Sequence, residues 1–165
     1  IQAALTGHIV LSTLHTNDAA SAVTRLLDMG VEDYLLTSTV NGVMSQRLVR
    51  RLCPHCKKPY VLSYAELTNM GVAHLVEEGQ PVTVYEPVGC DECSHTGYRG
   101  RMGVHELLIM NDQVRHQVLQ RASSEKIYQA AREHGMLSMF EDGFSKVFAG
   151  LTSTAEVLRV AQASR

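Results

Sequence analysis

All four cysteines of the chain fall in two identical spacings, Cys53-Pro-His-Cys56 and Cys90-Asp-Glu-Cys93, with 33 residues between the pairs. A Cys-x-x-Cys turn can aim both thiolates at one ion, and two such turns complete the tetrahedral four-sulfur shell that suits zinc. A closed shell leaves no open position for water or substrate, so the expected metal role is structural. Three plainer readings compete. Disulfides need an oxidising compartment, and nothing in the sequence points to export. A redox pair accounts for one spacing but not the second, and four buried thiols account for neither. His55 and His95 lie close enough to be substitute ligands, although four cysteines already fill the shell.

The remainder of the chain reads as α/β. Residues 8–14, His-Ile-Val-Leu-Ser-Thr-Leu, are short and rich in β-formers, as in a buried strand of a parallel sheet. His15-Thr-Asn-Asp18 then marks a turn with helix-capping residues. Ala19, Ala22, Val23, Leu26 and Leu27 share one helical face, which Gly30 ends. The stripe Leu36, Val40, Val43, Met44 and Leu48 predicts a second helix over 33–52. Gly42 is a weak point in it, and Arg47, Arg50 and Arg51 gather at its carboxyl end.

Residues 53–101 differ in composition, with Pro, Gly, Cys and polar residues, and read as a small insert held by metal. One short helix is expected near 64–70, and strands at 82–85 and 104–109. The last third reads as four helices: one capped by Asp112 with Val114, Val118 and Leu119 inside, and one capped by Ser123 or Ser124 and ended by Gly135. Phe140, Phe144, Val147 and Phe148 mark a third, ended by Gly150. Ser153-Thr-Ala-Glu156 reads as a capping box opening the fourth. This divides the chain at 1–52, 53–101 and 102–165.

The net charge of −2 argues against nucleic acid as a partner, as does the lack of aromatic residues interleaved with the basic ones. No apolar run approaches the ~20 residues needed to cross a bilayer. Ile1-Gln-Ala-Ala-Leu5 reads as the last turn of a helix stopped at Thr6-Gly7, so the expectation is a chain that starts inside a longer protein.

Two further groups carry chemistry. His15-Thr16-Asn17-Asp18 would stand at the carboxyl end of the candidate strand, where ligands bind in parallel α/β sheets. A histidine there can hydrogen-bond a phosphate or orient a water, or it can simply shape the turn. His8 sits at the other end of the same strand. In Tyr98-Arg-Gly-Arg101, Arg99 and Arg101 suit phosphate equally with a solvated basic turn.

Thr6-Gly-His-Ile-Val-Leu-Ser-Thr-Leu-His-Thr-Asn17 resembles the histidine box of the secretion ATPases, the motors of type II secretion and type IV pilus extension. Gln46-Arg-Leu-Val-Arg50, the two cysteine pairs, Gly97-Tyr-Arg-Gly-Arg101 and Gly103-Val-His-Glu-Leu-Leu108 continue the match in order. The Val-His-Glu-Leu wording leans toward type II secretion, with the pilus motor as the alternative. The resemblance implies the later part of a RecA-like P-loop ATPase domain with a zinc-binding insert and a helical carboxyl-terminal region. It implies ATP and Mg2+ in the whole protein, a homo-hexamer, and pseudopilus assembly driven from the cytoplasmic face of the inner membrane. The implied partners are the cytoplasmic domain of an inner-membrane docking protein and the platform protein. His8 and His15 fall on histidine-box positions near the γ-phosphate, and Arg101, then Arg99, on the nucleotide site.

The departure is as clear. The phosphate loop Gly-x-x-x-x-Gly-Lys-Ser/Thr is absent, and no Gly-Lys pair occurs. The expectation is therefore a carboxyl-terminal piece that hydrolyses no ATP alone. The competing function is a zinc-stabilised docking module without catalysis, which would have no need of the histidine box.

Overall fold

The computed structural model describes residues 1–161. In chain order it contains α1 (Gln2–Leu5), α2 (Ala19–Asp28), α3 (Asp33–Thr39), β1 (Gly42–Leu52), β2 (Lys58–Leu62) and α4 (Tyr64–Asn69). After a 3₁₀ turn at Ala73–Leu75 come β3 (Val82–Glu86), a second 3₁₀ turn at Asp91–Cys93, and β4 (Tyr98–Ile109). The helices α5 (Asp112–Leu119), α6 (Ser124–Glu133), α7 (Met139–Phe148) and α8 (Thr154–Ala161) close the order. This is a mixed α/β chain with two small sheets, β1 with β4 and β2 with β3. Met110 N–H donates to Asn41 C=O at 3.0 Å, and Cys53 N–H to Gly97 C=O at 3.0 Å, so β1 and β4 run antiparallel. The β2–β3 pair is antiparallel from Lys58 opposite Glu86 to Leu62 opposite Val82. No helix among the described residues is long and apolar enough to cross a membrane.

Two compact units divide the chain. The first comprises Ile1–Ser45 and Glu106–Ser138, the second Gln46–His105 and Met139–Arg165. In the first, Ala19, Ala20 and Val23 of α2 meet Leu36 of α3, Val114 and Val118 of α5, and Ile127, Ala130 and Ala131 of α6. Small residues on α2 let the helices approach closely. Gly30 ends α2 at φ +89°, a conformation that costs a residue with a Cβ about 1–2 kcal/mol. In the second unit Leu62, Leu67, Val72 and Val84 pack with Phe144, Val147 and Val157. Val49 and Val104, from the paired strands, form a smaller cluster with Met139 and Val160.

Several expectations hold at residue level. Asp18 caps α2, accepting from Ser21 N–H at 2.7 Å, and Ser63 and Glu66 form a reciprocal capping box on α4. The helices α6, α7 and α8 and the strand β3 lie where expected.

Others are corrected. The helix expected over 33–52 stops at Thr39, and the chain continues as β1. Val40 is already extended, and Asn41-Gly42 break the helix before β4 offers a ladder of hydrogen bonds. From Val43 to Val49 the burial alternates every second residue, with Met44, Gln46 and Leu48 facing out. Arg47, Arg50 and Arg51 therefore lie on a strand and not in the last turn of a helix.

Residues 8–14 form no buried strand: they pair with no other strand among the described residues, and Ile9 and Leu11 are 94% and 93% exposed. A run of β-formers needs a neighbouring strand before it becomes a sheet. The cap of α5 is Asn111, which accepts from Val114 N–H at 2.9 Å, while Asp112 is the first helical residue and Leu119 is half-exposed. At α8 only half the capping box forms. Ser153 Oγ accepts from Glu156 N–H at 3.3 Å, but the Glu156 carboxylate turns to Arg50 and Arg159. Strand β2 had no expectation attached to it.

Candidate functional site

β1 delivers Cys53 at its end, and the turn that follows brings back Cys56, with Lys57 N–H donating to Cys53 C=O at 3.1 Å. The 3₁₀ turn at Asp91–Cys93 folds the second pair, which the left-handed residues Ser94 (φ 52°) and His95 (φ 58°) turn back toward β4. The sulfurs of Cys53 and Cys90 stand 3.9 Å apart, those of Cys56 and Cys93 3.8 Å, and those of Cys90 and Cys93 3.8 Å. All four lie within 4.8 Å of one another. A tetrahedral ion with bonds of ~2.3 Å to sulfur has sulfur–sulfur edges of ~3.8 Å, so the donor set fits such an ion.

The backbone around the sulfurs is built for thiolates. Gly89 N–H donates to Cys56 Sγ, and the Cys90 and Gly97 amides donate to Cys93 Sγ, each at 3.2 Å. Both glycines are required. A Cβ on Gly89 (φ +116°) would come within 2.7 Å of His95 O, and one on Gly97 (φ +75°) within 2.4 Å of the Pro87 Cβ.

Burial pushes both thiols of the second pair up. At Cys93 the Cys90 and Gly97 amides outweigh it and hold the thiol at about 6, while Cys90, facing its neighbours' sulfurs, is pushed up to about 12. Four thiols this close cannot all ionise without a cation among them to offset the repulsion. Neither His55 nor His95 joins the cluster; His95 Nε2 instead pairs with Asp91 Oδ1 at 3.1 Å.

The remaining candidates are distributed over the two units. His8 and His15 belong to the first unit and are exposed; His8 Nδ1 shares a hydrogen bond with Thr6 Oγ1 at 3.0 Å. Arg99 and Arg101 lie on β4 in the second unit, also exposed, and Arg99 pairs with Glu92 at 3.2 Å.

Two buried carboxylates stand out whose partners the sequence did not reveal. Glu106, 5% exposed, accepts from the Ala19 amide at 3.0 Å and so anchors the start of α2, directly after the histidine segment. Glu156, 1% exposed, accepts from Arg50 N–H at 2.9 Å and from the Arg50 guanidinium at 2.7 Å. The position of Glu156 in Ser-x-x-Glu disguised it as an ordinary cap. For Glu106 the only signal was a lone acid among the apolar residues of β4.

Residues 1–159 match the family described as type II/IV secretion system protein. The chain belongs to this family. It is 50% identical over 98% of its length to the type II secretion system protein E of Xanthomonas campestris, and 48% identical over 97% to that of Pseudomonas aeruginosa. The type IV pilus assembly ATPase PilB of Thermus thermophilus is 45% identical over 95% of the chain. The chain spans 28%, 31% and 17% of the lengths of these three relatives.

Proposed function

We propose that this chain is the later part of a secretion motor ATPase that couples ATP hydrolysis to pseudopilus assembly and protein export by type II secretion. The observation that carries the reading is the family match over residues 1–159, together with relatives at 48–50% identity named for that system. In this reading residues 1–52 complete a RecA-like core, 53–101 are the metal-bound insert and 102–165 the carboxyl-terminal region, whose last four residues lie outside those described. The exposed run 8–14 is then a strand of a sheet whose neighbours lie in the rest of the motor. That assignment explains why Ile9 and Leu11 stand bare here.

The metal is zinc, held by Cys53, Cys56, Cys90 and Cys93. The sulfur spacing and the all-thiolate donor set favour it, and a closed shell gives it a structural role. ATP and Mg2+ belong to the whole protein. There His8 and His15 approach the γ-phosphate, His15 orienting water or phosphate through its imidazole, and Arg101, supported by Arg99, contributes positive charge. The motor works as a homo-hexamer at the cytoplasmic face of the inner membrane. It docks on the cytoplasmic domain of a membrane partner and on the platform protein.

The 165-residue piece has no phosphate loop and hydrolyses no ATP by itself. Steady-state phosphate release by the purified piece would sink that statement. The test of the wider reading is His15→Ala in the whole protein. ATPase activity falls with folding intact if the histidine segment serves the nucleotide. Normal activity would favour a non-catalytic docking module. The pilus relative at 45% identity keeps pilus extension as the second reading, which complementation of a secretion-defective strain separates from the first.

A further inference from the structure

The two edges of β1 near Cys53 have different partners. Toward β4, Cys53 N–H donates to Gly97 C=O. The other edge is met by the turn between α7 and α8. Leu52 N–H donates to Leu151 C=O at 2.9 Å, Thr152 Oγ1 donates to Arg50 C=O at 2.8 Å, and Arg50 N–H donates to Glu156 at 2.9 Å. Three successive polar groups of the strand are thus taken up by residues 151–156, immediately before the first metal ligand.

The same turn reaches the other approaches to the site. Tyr98 follows Gly97 directly, and its hydroxyl lies 2.8 Å from Ser153 Oγ, while the Arg50 guanidinium stacks over its ring at 4.1 Å. Lys57, next to Cys56, donates through Nζ to Gly150 C=O at 2.7 Å. Glu156 stands at the centre. Its two oxygens hold Arg50 backbone and side chain, and Arg159 donates to both at 3.2 and 3.0 Å. The carboxylate is buried, so these charge-assisted bonds are short of competing water.

We propose that Glu156 is a positioning residue for the metal centre: through Arg50 and the 150–153 turn it fixes the strand end that presents Cys53 and the loop that presents Tyr98 beside the second pair. This rests on the reading of the cysteines as a zinc site. Cys53 follows β1 directly, so the shell is only as stationary as the strand end that carries it. Partners beyond the ligands typically govern metal affinity by about 10–100-fold. Glu156 acts through Arg50, which places its effect near the low end.

The experiment is zinc transfer from the full chain to a chromophoric chelator, with metal content and melting temperature measured alongside. Glu156→Gln releases zinc roughly tenfold faster than wild type. Thr152→Val, a milder change that keeps the fold, releases it several-fold faster. Leu67→Ala, in the apolar cluster of the same unit, lowers the melting temperature without changing the release rate. Release from Glu156→Gln and Thr152→Val at the wild-type rate overturns the proposal. So does acceleration that merely follows melting temperature across all three variants. A wild-type chain that carries no zinc overturns the metal reading, and its stoichiometry reports that separately from the rates.

Discussion

Glu106→Ala isolates one contact. In the folded chain the Glu106 carboxylate accepts from the Ala19 amide, both groups being buried. Truncation leaves that N–H without an acceptor in a site closed to water. A hydrogen bond to a charged group contributes about 1.5–3 kcal/mol, and the orphaned donor accounts for most of the loss. The negative charge at the start of α2 adds about 0.3–1 kcal/mol, at the low end because Asp18 already caps the same terminus. The expected total is about 2–3 kcal/mol. Glu106→Gln keeps an oxygen in place and gives up only the charge, for about 0.5–1 kcal/mol. Urea unfolding followed by circular dichroism measures both, and hydrogen exchange locates the damage: the Ala19 amide and the first turn of α2 exchange faster in the alanine variant only. Equal losses for the two variants, or an Ala19 amide that exchanges at the wild-type rate, would refute the argument.

Three other outcomes follow from the second unit. Burial pushes the Glu156 carboxyl up, but Arg50 and Arg159 outweigh it and hold it at about 2, against an ordinary 4.5. The folded value is the lower one, so the stabilisation is full above pH 4.5 and fades as pH falls toward 2. After a discount for the half-exposed arginines it amounts to about 2–3 kcal/mol, and the melting temperatures of wild type and Glu156→Gln should converge as the pH is lowered through that window. Chelation under reducing conditions should raise hydrogen exchange in residues 53–62 and 82–101 while leaving the α2 and α6 amides protected, as mass spectrometry of peptides would show. Gly97→Ala forces a left-handed alanine against Pro87, and should cost about 2–4 kcal/mol; with zinc bound as proposed above, metal analysis of the purified variant should also show a lower content.

The clustering of the four cysteines was legible because its information is local: two turns of four residues, each carrying two thiols. The helices α2, α6 and α7 were legible for the same reason, since their periodic apolar faces lie within one stretch of chain. β1 was not. Leu36, Val40, Val43, Met44 and Leu48 satisfy a helical stripe, and only the offer of a ladder by β4, more than 40 residues on, selects the strand. Asn41-Gly42 was the one local sign of the break. Residues 8–14 err the other way: their composition is that of a strand, but composition cannot supply a neighbour. Glu156 shows a third limit. Its cap position was visible in sequence, but the arginine it holds lies 106 residues earlier, and no local rule connects them.

That separation also sets a schedule. A ribosome delivers Cys93 well before Glu156, and at about 5–20 residues per second the interval is of the order of 3–12 s. For that time the two cysteine turns are both present, while the outer edge of β1 still lacks the turn that holds it. With zinc in the cysteine cluster as proposed above, the nascent centre passes through an exchangeable stage, in which a wrongly chosen ion can still be released, until the 150–156 turn reaches the edge of β1.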